Sequence, residues 1–388
     1  MTVSNLSERA AAERQYQNTR MVHADFDQAP FTIAWEVTRA CAYACVHCRA
    51  DAQHTRDPRE LSTEESFALI DRLADFGNNS ILIFTGGDPM MRRDLTELIA
   101  YATQKGLRCS LTPTATALPS TERLEQVREA GIRRIALSLD APRPEVHDEF
   151  RKVPGSWQRT MDILHRAHDV GLSVQVNTTV AKHNVDILPE MVPFIQEVGA
   201  VQWSVFFLVP TGRAMLEQMI TPEQHEKTFN WLYDLSQAAP FDIKATAAPM
   251  YRRVAIERRK AEAGDKPVTF QGAGFQYADG LNRPTKGVND GNGFLFISHI
   301  GEIQPSGFLP LTAGNVRIDD IVEIYRHSRL FTDLRDYSQL KGACGACQYR
   351  DVCGGQRGRA YGLTGDYMES DPACILVAGK SAVGISVN

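Results

Sequence analysis

A chain of 388 residues, 43% hydrophobic and 8% aromatic with a formal net charge of −5, has the composition of a globular protein, long enough for one large domain plus a smaller one. Lys and Arg are scattered, and the richest basic run, Arg252 to Lys260, is interrupted by Glu257 and reads as a solvated helix face, so nothing asks for nucleic acid. The N-terminus is polar and no window holds eighteen consecutive apolar residues, so the expectation is a cytoplasmic chain with neither signal peptide nor membrane span.

Residues 1–30 read as a polar lead-in, and from Phe31 a βα alternation begins. FTIAWEV (31–37) is the first expected strand, followed by a helix that Ser62 and Glu65 open as a capping box and that Gly77 stops. SILIF (80–84), LRCSLT (107–112), RIALSL (134–139), LSVQVNTTV (172–180) and VQWSVFFLV (201–209) are the next strands. Helices over 94–105, 120–130, 157–169 and 187–198 alternate with them, each ended by a glycine. Six such units predict an α/β fold with a parallel sheet covered by helices. They fall short of a full eight-unit barrel, so an open partial barrel is expected over 31–215.

After Thr211 the pattern changes. Helical stretches near 222–237 and 247–262 make 216–290 a helical connector, ending in a Gly/Asn-rich passage at 272–293. A hairpin over 294–307, turning at Gly301, opens a last region, 291–388, that is rich in cysteine.

Seven of the eight cysteines fall into two groups: Cys41, Cys45 and Cys48, then Cys344, Cys347, Cys353 and Cys374. Cytoplasmic thiols stay reduced, so such groups more often bind metal or do chemistry than form disulfides. Cys109, alone on an apolar run, reads as a buried thiol. Cys41-x3-Cys45-x2-Cys48 follows the first strand directly, and a [4Fe–4S] cluster held by three thiolates keeps one iron open for catalysis. A helical core stripe would use Leu or Val rather than cysteines flanked by Arg39 and Arg49, and the spacing does not match the paired CxxC of a zinc ribbon. For the second group, spacing alone leaves a fully ligated [4Fe–4S] cluster and an all-cysteine zinc site equally open.

On these residues the chain resembles the radical S-adenosylmethionine (SAM) superfamily, whose CxxxCxxC loop follows the first strand of a (β/α)6 partial barrel. The resemblance is close over about 30–215 and looser beyond. It implies SAM as cofactor, chelated by the open iron and reductively cleaved to a 5′-deoxyadenosyl radical. His47, before the third cysteine, would lie near the adenine. Gly86-Gly87-Asp88-Pro89 is similar to the family's GGEP motif at the SAM amino group, with Asp for Glu; Ser138 and Asn177 would face the SAM carboxylate or ribose, and Arg151 in HDEFRKVPG would clamp a carboxylate.

The C-terminal cysteines resemble a SPASM or twitch extension. Ser306 stands where a full SPASM domain has another cysteine, so the resemblance implies one auxiliary [4Fe–4S] cluster. QVNTTV and HDEFRKVPG look most like the tetrapyrrole-modifying branch, the haem b decarboxylases and the haem d1 enzyme, with mycofactocin-type peptide maturases as neighbours. The thirty residues before Phe31 are too few for a fused winged-helix leader-binding domain. The expectations are therefore a tetrapyrrole or peptide substrate, oxidative decarboxylation or side-chain rearrangement, and a flavodoxin or ferredoxin as low-potential electron donor. Arg213, in the Pro210-Thr211-Gly212-Arg213 turn, His299 and Glu302 are the candidate substrate contacts, His299 as an axial ligand for a haem-type substrate. A non-catalytic iron–sulfur carrier or zinc scaffold is the reading from another class.

Overall fold

The computed structural model describes residues 25–77, 80–264 and 287–381. Most of the lead-in and residues 272–286 of the Gly/Asn-rich passage lie outside the described residues.

All six expected strands form: β1 (Thr32–Glu36), β2 (Ile81–Thr85), β3 (Arg108–Leu111), β4 (Arg134–Ser138), β5 (Ser173–Val180) and β6 (Gln202–Phe207). They pair in chain order, each parallel to the next. The 216–290 stretch, expected to be helical, adds a strand, β7 (Asp242–Thr246), parallel to β6. Five residues with only Ile243 and Ala245 as apolar marks give too few repeats for periodicity to register.

The expected hairpin forms as β8 (Phe294–Ile297) and β9 (Glu302–Gln304), with Gly301 in its turn at φ 84°. It does not stand apart from the barrel. β8 pairs in parallel with β1, and β10 (Gly314–Asn315) completes one ten-stranded sheet in the order β10-β9-β8-β1-β2-β3-β4-β5-β6-β7.

Ser62 and Glu65 make the expected reciprocal capping box at Thr63–Ala74, and Ser120 accepts from the Arg123 amide to open Thr121–Ala130. The expected 187–198 helix forms in two parts, a 3₁₀ stretch Val185–Met191 and an α-helix Val192–Glu197. Pro189 has no N–H to donate to a regular ladder there.

Trp35, Leu69, Phe84, Leu98, Val176 and Trp203 lie in the continuous core between sheet and helices. The inner side of the sheet is different. On β5 every second residue (Gln175, Asn177, Thr179) is only half-buried, because successive side chains alternate faces and these face cavities. One cavity of about 320 Å³ is lined by residues of β1, β2, β5, β6, β7 and β8, so the sheet curls around it as an open barrel. Among the described residues no helix is long and apolar enough to cross a membrane.

Candidate active site

The loop after β1 folds back on itself. Cys41 N donates to Gln53 O at 2.7 Å, and Gln53 N returns a bond to Arg39 O at 3.1 Å. Within this closed loop Cys41, Cys45 and Cys48 all line a cavity of about 230 Å³ at the C-terminal ends of the strands. Donors already aim at the sulfurs: the Tyr43 amide at Cys41 (3.4 Å), Arg151 Nη1 at Cys45 (3.7 Å) and the Ala52 amide at Cys48 (3.4 Å). Such N–H···S contacts suit thiolates that serve as cluster ligands.

Three thiolates that line one cavity are the donor set of a cluster with one open iron. Beside the cysteines the cavity extends past Gly86, Gly87, Thr112 to Ala115, Ser138, His147 and Thr179.

His47 lies flat on Phe150, ring centroids 3.9 Å apart, and its buried Nδ1 has no hydrogen-bond partner. Burial and the nearby Arg151 cation depress its pKa to about 3, so the ring is neutral and presents an unspent polar atom at the cavity wall. Arg151 is pinned by Asp140 at 2.6 Å. Burial works against the Asp140 charge, but Arg151, His47 and His147 outweigh it and hold the carboxyl at about 2. The pair is thus fully charged beside the Cys45 sulfur.

Gly86 and Gly87 line the cavity, Gly87 with a second duty, whereas Asp88, Pro89 and Asn177 stand elsewhere than expected. A Cβ on Gly87 would come within 2.3 Å of Ala40 O, so its missing side chain makes room for the cysteine loop. Asp88 is fully buried behind the cavity and accepts from the Met90 amide (3.1 Å), the Thr114 amide (3.3 Å) and Thr116 Oγ1 (3.1 Å), fixing the 112–116 loop that lines it. Pro89 is likewise buried, opening a 3₁₀ turn. Asn177 faces the larger chamber, accepting from Gln175 Nε2 at 2.8 Å.

The two catalytic candidates also stand elsewhere. Arg213 lines neither cavity; it donates to Cys45 O (3.0 Å), Ala52 O (3.1 Å) and Asp51 Oδ1 (3.0 Å), clasping the cysteine loop. His299 is buried between carboxylates, Nδ1 2.8 Å from Glu36 Oε1 and Nε2 3.5 Å from Asp57 Oδ2, and faces neither cavity, so it is no axial ligand here. Glu302 lines neither cavity.

Sequence reasoning missed the larger chamber. It shares Arg49, Thr85, Thr112, Phe206 and Phe308 with the smaller cavity, so the two adjoin. Its walls include Phe31, Phe294, Phe296 and Tyr251, and its charged members are Arg49, Lys244, Arg252 and Asp290. Only Arg49, next to Cys48, carried a positional signal; the others come from separate elements and share no spacing.

The second cysteine group surrounds its own small cavity of about 30 Å³, lined by Cys344, Cys347, Cys353 and Cys374. The Asp371 amide points at Cys344 Sγ (3.4 Å) and the Tyr349 amide at Cys347 Sγ (3.4 Å). Burial pushes the Cys353 thiol up to about 12 and Cys374 to about 11, so a metal that binds here must release their protons. Cys109 is the buried thiol expected.

This geometry defines a radical-generating iron–sulfur enzyme class, and comparison with known proteins agrees. The family model for the radical SAM superfamily matches residues 35–194. An AdoMet-dependent heme synthase of Nitratidesulfovibrio vulgaris is 44% identical over 88% of this chain and 91% of that protein. Another, from Methanosarcina barkeri, is 39% identical over 91% of this chain and 98% of that protein. Among solved structures, Streptococcus suis SuiB bound to S-adenosylmethionine has the same fold, with a TM-score of 0.66 at 14% identity over 95% of this chain and 81% of that one. The chain belongs to the radical SAM superfamily. It is therefore an enzyme that uses a [4Fe–4S] cluster and SAM and needs a reductant and a substrate.

Proposed function

We propose that this enzyme oxidatively decarboxylates propionate side chains of an iron tetrapyrrole in haem formation. The observation that carries the reading is the chamber adjoining the SAM cavity, where Arg49, Lys244 and Arg252 stand among aromatic walls. Flat apolar surface with cations around it suits a macrocycle edged with carboxylates. The heme synthases similar to this chain nearly end to end support the same substrate class.

Cys41, Cys45 and Cys48 would hold the cluster, with SAM against Gly86, Gly87, Ser138, His47 and Arg151. The chemistry these groups supply when bound is a 5′-deoxyadenosyl radical able to take a hydrogen atom from carbon. On a propionate, loss of that hydrogen and expulsion of the carboxylate as CO2 leaves a vinyl group and one surplus electron. Cys344, Cys347, Cys353 and Cys374 would hold a second [4Fe–4S] cluster, a one-electron redox group in the same chain. An all-cysteine zinc site is the alternative for these four thiolates, and metal analysis separates the two. A flavodoxin or ferredoxin of the reducing cytoplasm is the donor we assign.

The test is anaerobic turnover of the reconstituted enzyme with SAM, dithionite and iron coproporphyrin III, a tetrapyrrole bearing propionates on every ring. Mass spectrometry should find vinyl products, with 5′-deoxyadenosine in proportion. Deoxyadenosine without any change in the porphyrin would sink the tetrapyrrole reading and leave the radical chemistry intact.

A further inference from the structure

We infer that Arg49 binds a carboxylate of the substrate at the junction of the two cavities and so selects which side chain meets the SAM cavity. This deepens the tetrapyrrole reading and rests on it. Arg49 directly follows a cluster cysteine and lines both cavities, which neither Lys244 nor Arg252 does.

Its seat is built. Nη2 donates at 2.8 Å to Oε2 of Glu36, whose other oxygen is 2.8 Å from His299 Nδ1. The guanidinium carbon sits 4.6 Å above the Phe296 ring centroid. Gly307 closes the other side: a Cβ there would come within 2.7 Å of Arg49 Cδ and 2.9 Å of Nε. Thus His299, which lines neither cavity, holds Glu36, and Glu36, Phe296 and Gly307 together position one cation.

Phe296 and Gly307 line the larger chamber and not the smaller cavity, so the guanidinium is seated against the substrate side. Glu36 takes its one side-chain hydrogen bond among the described residues, and 23% of the side chain stays exposed. The remaining N–H fork is open to a ligand carboxylate. The other charged groups of the chamber are more committed. Arg252 donates to Val288 O (2.6 Å) and Val352 O (3.2 Å), and Asp290 accepts from the Gly358 amide (2.9 Å).

The experiment compares iron coproporphyrin III with its methyl ester, both titrated into the full-length reconstituted enzyme and followed by the Soret band, with SAM binding measured in parallel. Arg49→Gln should lower the acid-over-ester affinity ratio about tenfold or more, the scale of a charged hydrogen bond, with iron content and SAM affinity unchanged. Arg49→Lys should recover part of the ratio. Gly307→Ala, which crowds only the side chain of Arg49 and none of the cysteines, should lower it as well and covers the case in which Arg49→Gln loses its iron. An unchanged ratio in Arg49→Gln or, if that variant loses iron, in Gly307→Ala, or a loss that falls on SAM instead, overturns the assignment while the tetrapyrrole reading stands. A wild type that binds neither porphyrin overturns both.

Discussion

Arg213 Nε donates to the Cys45 carbonyl at 3.0 Å although 168 residues separate them in the chain. The same guanidinium holds Ala52 O and Asp51, and the Arg213 amide holds Cys48 O at 3.0 Å. The turn that closes β6 therefore fixes the shape of the loop that follows β1. A loop carrying three cluster ligands must keep its sulfurs apart before the cluster arrives, and this clasp does so from across the barrel.

Replacing Arg213 by Ala removes three side-chain hydrogen bonds, two of them to loop carbonyls, and should cost about 2–3 kcal/mol of folding stability. Its clearer signature is in loading. Iron and sulfide bound at the three-cysteine site should fall, and Arg213→Lys should recover only part, since an ammonium cannot reproduce the planar fork. Chemical iron and sulfide analysis after anaerobic reconstitution decides it; full loading in Arg213→Ala would remove the clasp role.

Gly87→Ala places a methyl group 2.3 Å from Ala40 O and 2.7 Å from Arg39 O, both backbone atoms that no rotamer can move. The loop must shift, so the variant should lose about 2 kcal/mol or more, within the range for overpacking, together with cluster occupancy. Gly77→Ala is the comparison, because a Cβ there meets nothing within 4 Å. It also has a positive φ of 85°, so it carries only the strain of that backbone and should load normally.

The parallel strands, the Ser62–Glu65 capping box and both cysteine groups could be read from the sequence because each rests on local spacing. The roles of single polar residues could not. Asp88 occupies the position of a ligand contact but turns its carboxylate to the 112–116 loop, and Arg213 sits where ligands gather yet spends its donors on backbone. Which way a side chain points depends on partners dozens of residues away. The larger chamber was hidden for the same reason: Lys244, Arg252 and Asp290 meet only because β7 and β8 join the sheet beside the expected strands.

Asp88 also gives a pH dependence with a definite sign. Burial raises its pKa from the ordinary 3.8 to about 6, and the hydrogen bonds it accepts only partly offset this. The raised value means the folded state prefers the protonated acid, so its contribution is complete below about pH 4 and lost as pH rises through 6. Asp88→Asn keeps the acceptor for both amides and removes the charge. Its stability relative to the wild type should therefore climb between pH 4 and 7, by about 3 kcal/mol at most. Urea unfolding of the metal-free chains at several pH values measures this; a difference that does not vary with pH would contradict it.

The second cysteine group can be separated from the first by counting metal. Cys353→Ser should lower bound iron from about eight to about four atoms per chain, as should Cys48→Ser, if each group holds one four-iron cluster. The two variants should then part company. Cys48→Ser loses 5′-deoxyadenosine formation altogether, because the cysteine belongs to the SAM cavity. Cys353→Ser leaves that cavity untouched, since its thiol lines only the separate one, and should still cleave SAM while making less vinyl product. If the group instead holds zinc, iron in Cys353→Ser stays at the wild-type value and zinc disappears from the metal analysis. The surplus electron of each decarboxylation would then have to leave the enzyme by a route other than these four cysteines.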